Sequence, residues 1–221
     1  MVHHGRMSEP TRIPAPDGVA ATTEDSPVVT GNGLFVAASA TKEPHIRELT
    51  LADCDRVAEI RVGGWQSAYR GLMPQSYLDA LSVPEDAARH RTRFGQGDGS
   101  VVNLVAERRG EVVGWACHGP YRDSEVRTAD AELYAIYVHP ERYGEGIGQA
   151  LLTESIRRCR AAGHPRMLLW VLRDNAPARR FYERAGFAPD GAQEPFEVEG
   201  VKVPEVRYAR ELAETGEDAR R

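Results

Sequence analysis

Apolar and polar positions along the chain fall into short blocks of two periods, and the blocks alternate. Positions 46–49 read as a short strand. Thr50, with Asp53 three residues on, has the form of a helix capping box, and Cys54, Val57, Ala58 and Val62 then make one helical stripe. The pair Gly63-Gly64 predicts the end of that helix. Residues 65–69 and 75–81 continue as short helical pieces around Gly71 and Pro74, and 84–94 is a charged helix with proline in its first turn. After a glycine-rich turn at 95–99, blocks 101–107 and 112–118 form a hairpin about Arg109-Gly110, and 131–138 is a β-rich strand following the polar loop 121–130. A helix over 146–162 carries Ile147, Leu151, Leu152, Ser155 and Ile156 on one side. A buried strand at 167–172, a helix at 177–185 and an antiparallel pair of 194–198 with 205–210 close the series. The pattern predicts one mixed α/β domain over 45–212.

The ends differ. Residues 1–44 hold Pro10, Pro14, Pro16, Pro27 and Pro44 among small and polar residues and lack either period, which predicts a disordered tail interrupted only by the apolar cluster 34–36. The polar stretch 213–221 predicts a flexible tail. A chain of 221 residues suits one domain with such tails, and 41% hydrophobic residues suffice for a core if they concentrate in that domain.

A net charge of -5 gives no general attraction for phosphodiester backbones or anionic lipid, so neither nucleic acid nor membrane is expected as a partner. No apolar run approaches the ~20 residues of a membrane span, and the amino terminus MVHHGRMSEP, with Met7 as an alternative start, lacks the apolar region of a secretory signal. A cytoplasmic location is expected. Cys54, Cys117 and Cys159 are odd in number, far apart and without CxxC spacing, which predicts free thiols and no metal site.

The most specific stretch is LYAIYVHPERYGEGIGQALL, 133–152, where a strand runs through Pro140 into Gly144, Gly146 and Gly148 and then into an amphipathic helix. Glycines let backbone N–H groups turn toward one point, and the helix N-terminus adds partial positive charge there, a setting for a pyrophosphate. The dinucleotide fingerprint would need glycine where Gln149 stands, and no GK[ST] follows, so hydride transfer and P-loop hydrolysis are excluded on spacing.

This loop, Tyr143-Gly144-Glu145-Gly146-Ile147-Gly148, resembles the Q/R-x-x-G-x-G/A phosphate loop of the GNAT superfamily of acyl-CoA-dependent N-acyltransferases. The segment from Asn175 through Phe181-Tyr182 to Gly186-Phe187 is similar to that family's N-x-x-A-x-x-F-Y-x-x-x-G-F. The resemblance covers roughly 45–211. It departs where Tyr143 replaces Gln/Arg and Glu145 stands at a position that often carries a basic residue; backbone N–H donors remain, and Arg142 is a substitute cation.

What the resemblance implies is a GNAT fold: a central mixed, mostly antiparallel sheet flanked by helices, whose central strand leads into the glycine loop. It implies acetyl-CoA as co-substrate, held by the strand amides of Ile136, Tyr137 and Val138, by the loop Arg142, Tyr143, Gly144, Glu145, Gly146, Ile147 and Gly148, and by Asn175. Direct transfer needs a base, an oxyanion stabiliser and a proton for the leaving thiolate. Glu132 stands where some members carry a glutamate base, and Tyr182 is the sulfur-side acid, its alternative being core packing on a helical face. The acceptor side falls to Trp65, Tyr69 and Trp115 as aromatic faces and to Glu194 and Glu197 as anions, although aromatics at such spacings are also ordinary core. The expected reaction is acetyl transfer to the primary amine of a small molecule. A protein N-terminal or lysine acetyltransferase and a non-catalytic acyl-CoA-binding module are the alternatives, and a homodimer is the assembly this family often forms.

Overall fold

The computed structural model describes residues 43–122 and 128–212. The tails expected at 1–42 and 213–221, and positions 123–127 of the polar loop, lie outside the described residues. Seven strands form one sheet in the order β1 (His45–Glu48), β2 (Val102–Arg108), β3 (Glu111–Pro120), β4 (Ala131–Val138), β5 (Arg166–Leu172), β7 (Val201–Glu211) and β6 (Ala188–Val198). Neighbours are antiparallel except β4 and β5, which run parallel and pair only at Ala131↔Met167 and Glu132↔Leu168. No ladder continues past that pair, so a gap lies between the far halves of the two strands.

Helices α1 (Cys54–Ala68), α2 (Gln75–Asp79) and α3 (Val83–Gln96) belong to one face of the sheet, and α4 (Ile147–Ala161) and α5 (Ala176–Arg184) to the other. β4 is buried along its whole length, because its alternate side chains enter two different cores. Ile136 and Val138 pack with Ile147, Leu151 and Phe181, whereas Tyr137 packs with Trp65, Tyr69 and Trp115. A bulge resets this alternation: Cys117 faces Ala135 and His118 faces Leu133, leaving Tyr134 as the extra residue on β4.

The Thr50–Asp53 box is present, the Thr50 N–H donating to the Asp53 carboxylate at 2.7 Å. Arg47 on β1 also grips that carboxylate at 2.7 and 2.9 Å and lowers its pKa to about 2, tying the first strand to the start of α1. The expected break at Gly63-Gly64 does not occur, and α1 continues through both glycines to Ala68. A Cβ on Gly64 would lie 2.9 Å from Cδ1 of Tyr137, so this glycine serves close approach of helix to strand rather than termination. Gly114 does the same under α4, where a Cβ would stand 2.8 Å from Ile147 Cγ2. The closing strands are longer than their alternation predicts, because a register shift between Pro189 and Gln193 lets an irregular stretch join the ladder.

Candidate active site

The loop after β4 is open. Gly144 and Gly146 adopt left-handed backbone, with φ of +79° and +77°, and no heavy atom stands within 4 Å of a Cβ at either position. Gly146 caps α4, whose first N–H groups have no acceptor inside the helix and point toward this opening. Ile147 is buried in the core and Tyr143 packs against it, so both hold the loop from beneath. A Cβ on Gly148 would stand 3.5 Å from the Phe181 ring of α5, so this glycine lies close beneath that ring. Glu145 contacts the guanidinium of Arg108, at the end of β2, and its other oxygen lies 3.7 Å from Arg142.

The gap between β4 and β5 begins beside this loop. Ile136, Tyr137 and Val138 face Ala116, Trp115 and Gly114 across the antiparallel ladder. In such a ladder alternate residues turn their N–H groups away from the partner, and here that direction is the gap. On α5, Asn175 accepts the Ala178 N–H at 3.1 Å as an N-cap and is itself buried. Tyr182, 1% exposed, sits edge-on to Phe181 and Phe187 with centroids 5.2 and 6.0 Å away. Tyr182 also belongs to an electrostatic group with Tyr69, Tyr137 and Glu205. Burial, above all, raises the Tyr69 phenol well above its ordinary value, and these neighbours push the same way. The Tyr69 and Tyr137 hydroxyls are 3.4 Å apart. Glu205, buried on β7 opposite Leu172, brings a carboxylate to the end of β5 that the sequence pattern did not single out.

Glu132 occupies the face of β4 opposite Ala131 and Leu133 and is 1% exposed. Both of its carboxylate oxygens are engaged by Arg122: Nη2 donates to Oε1 at 2.9 Å, and the backbone N–H donates to Oε2 at 3.0 Å. The Arg122 guanidinium carbon lies 3.5 Å from the centroid of the Tyr134 ring. Arg122, Tyr134, Trp115 and Cys117 line a cavity of about 940 Å³ on the α1/α3 face, which also receives the buried Arg61–Asp86 pair at 2.7 Å and His90. Burial raises the Cys117 thiol to about 12 although Arg122 and Arg93 act against it, so this cysteine is a wall and not a nucleophile.

Of the residues expected on the acceptor side, Trp65 and Tyr69 are fully buried and meet edge to face at 5.0 Å. They are packed in the core that supports the site, with Trp115 stacked on Tyr137 at 6.2 Å. Glu194 and Glu197 are exposed on β6, where Glu197 pairs across the hairpin with Lys202. Among the described residues no group of three or more His, Cys, Asp or Glu side chains is placed to hold a metal, and no helix is long and apolar enough to cross a membrane. Arg108, Arg122 and Glu205 carry no sequence signature, because their partners lie on other segments.

Residues 65–187 match the model of the Acetyltransferase (GNAT) family. The chain is 34% identical over 162 residues to the uncharacterized N-acetyltransferase YuaI of Bacillus subtilis (strain 168), covering 73% of this chain and 89% of that one. The structure of YncA from Salmonella typhimurium with its cofactor acetyl-CoA superposes with a TM-score of 0.59 at 25% identity, over 79% of this chain and 97% of that one. A ribosomal-protein-alanine N-acetyltransferase from Brucella melitensis gives a TM-score of 0.61 at 25% identity, over 76% and 99% of the two chains.

Proposed function

The chain belongs to the GNAT family and is an N-acetyltransferase, and from that premise we propose that it transfers the acetyl group of acetyl-CoA directly to the primary amine of a small molecule. The observation that carries this reading is the break of the β4–β5 ladder after two residue pairs, with the glycine loop and the start of α4 beside the gap it leaves. A pantetheine arm fits between strand edges that have lost their ladder partners, and the open left-handed glycines suit a diphosphate.

Acetyl-CoA, when bound, supplies a thioester whose carbonyl is open to attack by an amine. The inward N–H groups among Ile136, Tyr137 and Val138 donate to groups lying along the gap and favour negative charge there. Tyr182, a phenol on the α5 face of the gap, donates a hydrogen bond to the departing sulfur. Loop residues 142–148 and Asn175 hold the cofactor at its outer end. Glu132 receives the proton of the amine, directly or through water, and Arg122 holds its carboxylate in place. The acceptor enters the cavity on the α1/α3 face, where Arg122 and Tyr134 stand over Glu132's strand. Trp65 and Tyr69 act as the packed floor behind β4, and Glu197 lies at the rim of the β6–β7 hairpin.

The partly enclosed cavity favours a small acceptor, while the likeness to a ribosomal-protein-alanine acetyltransferase gives a protein α-amine as the second reading. Release of CoA thiol, followed against polyamines, amino sugars, amino-acid derivatives and peptides with mass detection of the product, tests both. Turnover with small amines and none with peptides is the expected result. Turnover with peptides alone selects the second reading, and binding of acetyl-CoA without any turnover refutes both.

A further inference from the structure

The phosphate loop of this chain carries an acidic residue between its two left-handed glycines. A bare Glu145 would set negative charge beside the diphosphate of the co-substrate, and like charges a few ångströms apart at a partly exposed site repel appreciably. Two guanidiniums counter it. Arg142 comes from the turn before the loop, whereas Arg108 comes from β2, 37 residues away, and contacts Oε2 of Glu145 through Nη1. The hairpin that delivers Arg108 is paired to its end and packed on α4. Arg108 pairs with Glu111 at the end of the β2–β3 ladder, the turn closes through Arg109 and Gly110 at φ of 55° and 80°, and Gly114 lets β3 lie close against Ile147 of α4.

With the Arg108 side chain only 17% exposed, its position is set by the fold and not by solvent. Its contact with Glu145 uses one of the five N–H donors of a guanidinium, which leaves a forked face for phosphate oxygens. We infer that Arg108, positioned by Glu145, is a diphosphate-binding residue of the acetyl-CoA site, supplying from the hairpin a second cation beside Arg142. Two guanidiniums against one carboxylate leave the loop with a net positive charge, and Glu145 becomes the residue that brings Arg108 to it.

This rests on the acetyl-CoA reading of the loop, and calorimetric titration of the full chain separates the two. Wild-type protein that binds neither acetyl-CoA nor dephospho-CoA overturns the acetyl-CoA reading itself. If it binds, Arg108→Ala is expected to raise the Kd for acetyl-CoA about 10- to 100-fold, the range for losing a hydrogen bond to a charged group. The same factor is expected for dephospho-CoA, which keeps the diphosphate but lacks the 3′-phosphate. Arg108→Glu is expected to abolish measurable binding, and the exchange Arg108→Glu with Glu145→Arg to recover it to within several-fold of wild type, because the cation is restored to the same spot. Unchanged affinity in Arg108→Ala overturns the inference. A loss seen with acetyl-CoA but not with dephospho-CoA also overturns it, since the arginine would then serve the 3′-phosphate. Melting temperature is read for each variant, and circular dichroism of Arg108→Gln provides a folded control if Arg108→Glu does not fold.

Discussion

Arg122 holds both carboxylate oxygens of Glu132, one through its guanidinium and one through its own backbone N–H. The pair joins the start of β4 to the start of the β3–β4 connection, just past β3, and it leaves the glutamate with no exposed surface to speak of. Removing one partner from a buried ion pair costs about 3–5 kcal/mol, because the other charge stays behind. Arg122→Met should therefore destabilise by about that amount in urea unfolding, and adding Glu132→Gln should recover most of the loss. Equal stability of Arg122→Met and wild type would show the pair to be exposed in solution.

The two carboxylates near the gap should separate kinetically. Glu132→Gln keeps shape and hydrogen bonding but removes the proton acceptor, so turnover at neutral pH should fall by ~10²–10⁴ and recover partly as free amine accumulates at higher pH. Glu205→Gln should cost less than tenfold, since the proposed mechanism gives that residue no proton to move. The pH–rate profiles of kcat/KM for both variants decide this, and the reverse ranking would make Glu205 the base.

Tyr182→Phe should leave the affinity for acetyl-CoA within about threefold and lower kcat, with no recovery as pH rises, because the missing group acts on sulfur and not on the amine. The packing with Phe181 and Phe187 survives the change, so the melting temperature should hold. A wild-type kcat with a lowered melting temperature would reduce the tyrosine to core.

Adjacent glycines in α1 should respond in opposite directions. A methyl at Gly63 meets only Pro140 at 3.8 Å, so Gly63→Ala should stabilise by about 0.5–1 kcal/mol through helix propensity. At Gly64 the methyl would stand 2.9 Å from Tyr137, and the cost of overpacking, about 1–3 kcal/mol, should exceed that gain. Chemical denaturation of the two variants checks the sign of each.

His118, buried on β3, has its pKa lowered to about 4, chiefly by burial and further by Arg158 and His164, while Glu154 acts in the other direction. The folded state therefore holds the ring neutral, and between pH 6.5 and 4 the unfolded chain binds the extra proton. Stability from this source is complete above 6.5 and declines as pH falls through that window, by about 3 kcal/mol at its acid end. The difference in unfolding free energy between wild type and His118→Leu, followed over pH 4 to 7, should show that slope. A flat difference would place the proton elsewhere.

Most elements were legible because each carried a local signal: the capping box at Thr50–Asp53, the two periods, and the glycine loop at the end of β4. Gly63-Gly64 misled because a glycine that yields room to Tyr137 looks, along the chain, like one that ends a helix. Long-range relationships left no trace in spacing. Arg108 meets Glu145 across 37 positions, and Glu205 reaches the tyrosines only through the β5–β7 ladder. For the same reason the sequence leaves Trp65 and Tyr69 with two readings, acceptor-side aromatics and ordinary core, since aromatic residues carry one signature for both uses, and only the structure shows them fully buried.

The two-pair junction between β4 and β5 has a mechanical consequence. The sheet is like an open book, β1 to β4 forming one leaf and β5, β7 and β6 the other, bound at a short spine of Ala131–Glu132 against Met167–Leu168. A co-substrate lying between the leaves would act as a missing rung, taking hydrogen bonds that no strand provides and holding the leaves at a set angle. Its binding energy then adds to the cooperativity of the whole domain, and slowed amide exchange should extend from the β4 edge to the last residues of β5.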